Sequence, residues 1–432
     1  MSPLVFFGMM VDNIQTYLLI LLLSALPHLW LARKLAVNIF DPLFLVILAD
    51  WFGFALVTYM WVSGDIASVH FWYYLASQAA FYAALLVASV FKTGQRLPRP
   101  FEPAFGLVMW VMVISALVHF SATAVKWRLA GIPLFNVSRL GAFAGSGGLG
   151  IIERFEVGAY YIFSFSTLLM WMRFRAQARW TTWLMALWLL VYITFSGSKA
   201  ALLGLMQVFF LLRLLLSDRS KKSFFGSQGG GKAFAAAGVF SLAVLLIQSQ
   251  GSLQEALLGL AFRLVSFGDI YVYAYIDNTL KYVQGDNWII GLFGGALSTF
   301  RIIPSEWIYK NMGLQFSEII FPDLDYLAGP NPRHNVFGYH FFGWWGIVFS
   351  AALGLIIAAL QSNLFHRAHR GYIAALWAYL LYFSLSSLGG DFDYSLSTLS
   401  SIFISATVIL IPAQFLYRAS LISGPTPRHA SS

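Results

Sequence analysis

Gly329-Pro330-Asn331-Pro332-Arg333-His334-Asn335-Val336-Phe337-Gly338-Tyr339-His340-Phe341-Phe342-Gly343-Trp344-Trp345-Gly346 carries the chain from a segment that cannot be helical into one that must be buried. Proline lacks the N–H and holds the residue before it extended, so no helix forms before Pro332. The apolar run that follows continues to about Leu360. About 20 such residues cross a hydrocarbon core of about 30 Å. Arg333 and His334 thus stand where a structured loop meets the mouth of a membrane helix, a fixed cation and a titratable base just outside the hydrocarbon.

The rest of the chain has the same character. Of 432 residues, 59% are hydrophobic and 10% charged, with mean hydropathy +0.73. Soluble domains carry roughly 25% charged residues, and a transmembrane barrel would alternate with a period of two. The composition therefore predicts an all-α polytopic membrane protein. The apolar start at Leu4–Met10 lacks the basic flank and cleavage site of a signal peptide. With no cysteine, disulfides and thiolate chemistry are excluded. The formal charge of +9 belongs to membrane topology and does not indicate nucleic acid.

Outward from the opening stretch, the apolar runs predict about 11 spans (10 to 14 by where runs are split). They lie near 14–32, 40–62, 71–91, 104–125, 157–171, 183–195, 200–216, 233–247, 336–360, 373–388 and 396–417. Three blocks result: N-terminal spans over 1–248 with a basic loop at about 126–156, a capping loop over 249–335, and C-terminal spans over 336–432. With Arg33-Lys34 inside, 17 Lys/Arg fall on the cytoplasmic side and 10 outside, while 14 of the acids lie outside. Both long loops are then external, with the N-terminus out and the C-terminus in. The long loop reads as short amphipathic helices lying on the outer leaflet, a cap over a membrane-embedded cleft.

The external arginines Arg139, Arg154, Arg263, Arg301 and Arg333 run against the usual inside preference. A guanidinium fork matches a diphosphate and keeps its charge where water is scarce. Each also fits a simple ion pair with an external acid or a lipid phosphate. His334 fits either proton acceptance from an attacking hydroxyl or a hydrogen bond to phosphate or backbone. Asn335 fits orientation of a sugar hydroxyl or a helix cap. Asp269, six residues after Arg263, fits a base or an arginine partner. Lys199, in Ser196-Gly197-Ser198-Lys199, fits phosphate neutralisation or headgroup anchoring; without a preceding strand that turn is not a nucleotide loop. No metal-ligand spacing and no cofactor motif is present. Asp50, inside the second span, is costly there and marks a functional candidate.

Four stretches together resemble the Wzy-type polysaccharide polymerases, relatives of the O-antigen ligases. They are Arg139 followed by Gly150 after ten intervening residues; Ser196-Gly197-Ser198-Lys199-Ala200-Ala201-Leu202-Leu203; Phe262-Arg263 with Gly268-Asp269; and Pro332-Arg333-His334-Asn335 entering a glycine-rich span. The second arginine–glycine loop departs from the family pattern, because Arg301 reaches Gly313 after eleven intervening residues. The resemblance implies a GT-C-like helical fold with a large helical periplasmic loop in the bacterial inner membrane. It implies inverting, metal-independent glycosyl transfer between undecaprenyl-diphosphate-linked oligosaccharides, in some members alongside a chain-length regulator. In those terms His334 or Asp269 takes the proton, and Arg139, Arg263, Arg333, Asn335, Arg301 and Lys199 hold diphosphate or substrate. Tyr271, Tyr273, Tyr275 and Trp307 fit stacking on sugar faces or, more commonly for such residues, anchoring at the membrane interface. An O-antigen ligase shares the donor and differs in its acceptor. A flippase or transporter for anionic glycolipid would instead show charges along a central path and broken helices.

Overall fold

The computed structural model describes residues 3–90, 101–135, 150–196, 201–216, 266–323, 329–367 and 370–422, with isolated positions between 239 and 254. Among them the chain is helical and contains no strand. The helices are α1 (Pro3–Asp12), α2 (Ile14–Leu35), α3 (Pro42–Val62), α4 (Ser68–Val90), α5 (Phe105–Ala130), α6 (Gly150–Arg173), α7 (Arg179–Phe195), α8 (Ala201–Leu216), α9 (Asp269–Tyr275), α10 (Trp288–Thr299), α11 (Met312–Ile320), α12 (His334–Phe342), α13 (Gly346–Arg367), α14 (Tyr372–Leu385) and α15 (Phe392–Ile422). Seven apolar helical stretches among the described residues are long enough to cross a membrane. The protein is a multi-pass helical membrane protein. The span expected at 233–247 lies outside the described residues, as do Arg139, Lys199 and Arg263.

Two packed cores divide the bundle. One gathers α1–α4, the described capping helices, α12 and α13. The other gathers α5–α8, α14 and α15. Local signals start the helices: Asp41 caps α3 by accepting from the Leu43 N–H at 3.0 Å, with Pro42 in the first turn. The basic loop expected from residue 126 begins later, because α5 runs to Ala130 and holds Lys126 against Glu156 of α6 at 2.6 Å.

The largest departure concerns the span expected at 336–360. The chain reverses inside it. Gly343 takes φ +54°, a left-handed conformation that L side chains rarely adopt, and α12 folds back along α13. His334 consequently lies beside Ser350, and Gly338 beside Gly346. A Cβ on Gly338 would sit 3.2 Å from the Gly346 Cα, so these glycines set how closely the two helices approach. α12 is a re-entrant half-helix and does not form the first turns of a crossing helix.

Its depth follows from its neighbours. At its outer end, the Tyr339 ring meets His70 and Tyr73 of α4 at 5.5 and 4.7 Å. At its inner end, the His334 ring stacks on Phe81 at 4.7 Å. Phe81 is 13 residues along α4 from Ser68, about 20 Å at 1.5 Å per residue. Arg333 and His334 thus lie deep in the bundle, away from the mouth where the sequence placed them.

The cap also differs from a set of surface helices. Ile270, Tyr271, Val272, Ala274 and Tyr275 of α9 are all buried. α9 is wedged against α3, where Gly268 faces Gly53. A helix buried on nearly all sides cannot lie on a leaflet. α11 matches the amphipathic expectation better, burying Met312 and Phe316 while the Lys310–Glu318 pair stays exposed.

Candidate functional site

The inner end of α12 meets α3, α4 and α9 in one connected polar network. Arg333, the N-cap residue of α12, is 5% exposed, and its Nη1 donates to Oδ1 of Asp50, which is 1% exposed. Asp50 Oδ2 also accepts from Gln78 Nε2 and Tyr82 OH, each at 2.9 Å. Asn335 Nδ2 donates to Ser77 Oγ at 2.8 Å and to Gln78 Oε1 at 3.2 Å, and Asn335 Oδ1 accepts from Tyr271 OH at 2.7 Å. Both side-chain amides are thereby occupied, and the ion pair is neutral as a unit. An unpaired charge at this depth would be severely penalised.

His334 makes no hydrogen bond to this network among the described residues, although Phe81 beside it lies on α4 within a turn of Gln78 and Tyr82. Its Nδ1 lies 2.9 Å from Ser350 Oγ, and its Nε2 is buried without a hydrogen-bond partner among the described residues. The ring lies against Phe81, with Gly389 next to its Cδ2 edge. Among the described residues no side chain caps the first turn of α12, so its N–H groups and the positive end of its dipole lie beside Arg333, whose own charge is available to an anion only as it parts from Asp50. Cation, helix N-terminus and imidazole therefore converge deep in the bundle. Such a combination favours an anion with a proton acceptor beside it.

Asp269 opens α9 and is partly buried. Burial raises its carboxyl to about 7, against the opposing pull of the Ile270 N–H and of Arg333. Asp269 thus belongs to the same electrostatic neighbourhood. Arg301 follows α10 as an exposed residue at φ +55°, and no described contact ties it to α12. Arg154 lies in the first turns of α6, where its carbonyl accepts from Ser405 Oγ at 3.4 Å. Among the aromatics expected to stack on sugars, Tyr271 and Tyr275 are 0% and 2% exposed, because α9 is buried and hides their ring faces. Trp307 is 60% exposed. It borders a cleft of about 630 Å³ that adjoins a cavity of about 200 Å³ through Gln284, Ile290, Tyr309, Lys310 and Gln315. Phe337 and Phe341 of α12 line that inner cavity, so the cap leaves a passage leading to the re-entrant helix.

Ser77, Gln78, Tyr82 and Ser350 escaped sequence reading. For the α4 residues a signal existed: Gln78 and Tyr82 are polar groups one helical turn apart within an apolar span. A second buried cluster lies in the other core, where Glu156 accepts from Lys126 at 2.6 Å and from Tyr192 OH at 3.2 Å. The backbone carbonyl of Glu156 meets His119 Nδ1 at 3.1 Å. Searches against protein families, curated proteins and solved structures find no match to this chain.

Proposed function

We propose that the protein is a glycosyltransferase that polymerises undecaprenyl-diphosphate-linked oligosaccharide repeat units on the periplasmic face of the bacterial inner membrane. The observation that carries the reading is the buried inner end of α12, where Arg333, a helix N-terminus without a side-chain cap and a His334 Nε2 with no partner among the described residues converge. In this reading the chain crosses the membrane eleven times in a GT-C-like arrangement. The hairpin α12–α13 contributes one crossing and one re-entrant arm.

The proposed chemistry uses these groups as follows. A hydroxyl of one repeat unit attacks the anomeric carbon of the growing chain. The new C–O bond forms as the bond from that carbon to the diphosphate oxygen breaks, and undecaprenyl diphosphate leaves with the electron pair. The hydroxyl proton passes to His334 Nε2 and then to solvent or the departing diphosphate. Arg333, partly released from Asp50, and the α12 N–H groups offset the charge that develops on the leaving group. The cleft bordered by Trp307 would bring the glycan as far as Phe337 and Phe341 of α12, which must shift to admit the reacting sugar.

The test is a glycan gel from cells lacking the protein, paired with purified protein given lipid-linked repeat units. A single repeat unit on the lipid A core, and polymer from the purified protein, support the polymerase. Complete loss of glycan from the core points instead to a ligase. One structural observation favours a second reading, a translocator of anionic glycolipid. A re-entrant helix and two separate ion pairs, the buried Asp50–Arg333 and the partly buried Glu156–Lys126, are features that transporters use. Proteoliposomes that move the lipid-linked unit across the bilayer without lengthening it would establish that reading and end the first.

A further inference from the structure

We infer that Ser350 is a positioning residue that holds His334 in the tautomer with the proton on Nδ1, leaving Nε2 as the basic nitrogen. The inference rests, for its catalytic meaning, on the proposed role of His334. Its structural part stands on hydrogen-bond bookkeeping alone. A serine hydroxyl has one proton to give. Ser350 Oγ donates it to the Gly346 carbonyl, one helical turn earlier, at 2.9 Å. The same oxygen lies 2.9 Å from His334 Nδ1 and can therefore only accept there. A neutral imidazole that donates from Nδ1 carries its lone pair on Nε2. Nε2 is the ring nitrogen that finds no partner among the described residues.

The hairpin makes this arrangement possible. Ser350 lies sixteen residues beyond His334, and only the reversal at Gly343, with Gly338 against Gly346, brings the two side chains together. Gly346 serves twice: its missing side chain admits α12, and its carbonyl takes the serine proton. The Phe81 ring against the imidazole fixes the ring plane, so Nε2 has one direction in which to act. The Arg333–Asp50 pair is held on other partners and does not compete for either imidazole nitrogen.

The experiment uses full-length protein labelled with ¹⁵N-histidine in detergent micelles, with His334→Gln to assign the His334 resonances. Wild-type protein should show the His334 proton on Nδ1. Ser350→Ala should move it to Nε2 or mix the two forms, and Ser350→Thr, which keeps the hydroxyl, should restore the wild-type pattern. A wild-type proton on Nε2, or a Ser350→Ala spectrum identical to wild type, overturns the inference. In the polymer assay Ser350→Ala should lose roughly 10- to 100-fold, a part of the roughly 10²–10⁴ that a positioned base contributes, and Ser350→Thr should recover most of it. If His334→Gln polymerises normally, the catalytic reading falls while the spectra still decide the tautomer. If His334→Gln is inactive and Ser350→Ala is fully active, the positioning role falls and the polymerase reading remains.

Discussion

The Asp50–Arg333 pair is buried enough that its energetics can be worked out before measurement. Asp50→Ala would leave a guanidinium that is 5% exposed without its anion. Breaking a buried pair by removing one partner costs about 3–5 kcal/mol. Gln78 and Tyr82 also lose their acceptor, which adds about 1–3 kcal/mol for each group that finds no substitute. Arg333→Met leaves Asp50 with two remaining donors, so its cost should fall at the low end, about 3 kcal/mol. The double variant Asp50→Ala/Arg333→Met removes both charges together. Replacing a buried ion pair by apolar groups is often neutral or better, so this variant should be more stable than Asp50→Ala alone. The loss of the Gln78 and Tyr82 acceptor is common to Asp50→Ala and the double variant and cancels, so the cycle gives a coupling of about 6–8 kcal/mol, above the roughly 0.5–3 kcal/mol usual for residues in contact. Reversible unfolding in mixed micelles measures all four proteins. Single-variant losses that add to within about 0.5 kcal/mol would refute the claim that this pair locks α12 in place.

The remaining predictions concern the chemistry and its environment. His334→Ala should abolish polymer formation while protein remains in the membrane; unchanged chain lengths on a glycan gel would remove this residue from the mechanism. Turnover should survive chelation, so activity lost to EDTA and restored by a divalent ion would overturn the metal-independent scheme. Burial holds the Asp269 carboxyl at about 7 in the folded protein, against about 4 in an unfolded chain. That group favours folding fully below about pH 4, and the contribution is lost as pH rises through about 7. The thermal midpoint should therefore drop more between pH 5 and 8 for wild type than for Asp269→Asn, and parallel slopes would count against this placement of the carboxyl. Asp50→Asn should bind undecaprenyl diphosphate more tightly than wild type while unfolding more easily, because it releases Arg333; weaker binding would mean that Asp50 does not compete with the ligand.

Composition and apolar run length were enough to read a helical membrane protein, since both depend on residue content and not on direction. Asp50 was also legible, because a carboxylate amid apolar residues needs a partner wherever it lies. Its partner was not, since Arg333 is far away in sequence and reaches it only through the hairpin. The run Gly343-Trp344-Trp345-Gly346 is as apolar as the helix around it, so hydropathy passes smoothly through the reversal. The φ of one glycine makes the difference, and that torsion leaves no trace in a window average. For the same reason Ser350 looked like an ordinary small residue in a span. α9 misled in another way: its Tyr271, Tyr273 and Tyr275 alternate with apolar residues and suggest a surface-seeking segment. Gly53 and Gly268 let it enter the bundle, and two distant glycines facing each other cannot be read from either stretch alone.

The geometry imposes an order of events on any anionic substrate. Arg333 is the fixed cation nearest His334 in sequence, and its charge is already matched by Asp50. A diphosphate that draws on Arg333 must compete with a carboxylate held by two further donors, Gln78 and Tyr82. Those donors keep part of Asp50's stabilisation when the guanidinium turns away, which lowers the cost of the exchange. Asn335, tied to Ser77, Gln78 and Tyr271, keeps the first turn of α12 in register while this happens. His334 is anchored by separate partners, Ser350 of α13 and Phe81 of α4, so it need not move when the ion pair opens. The re-entrant helix thus separates two tasks along its first turn, an exchangeable charge at Arg333 and a fixed base at His334. A straight membrane span would have left Arg333 near the surface, where water screens its charge and the exchange would have little energetic consequence.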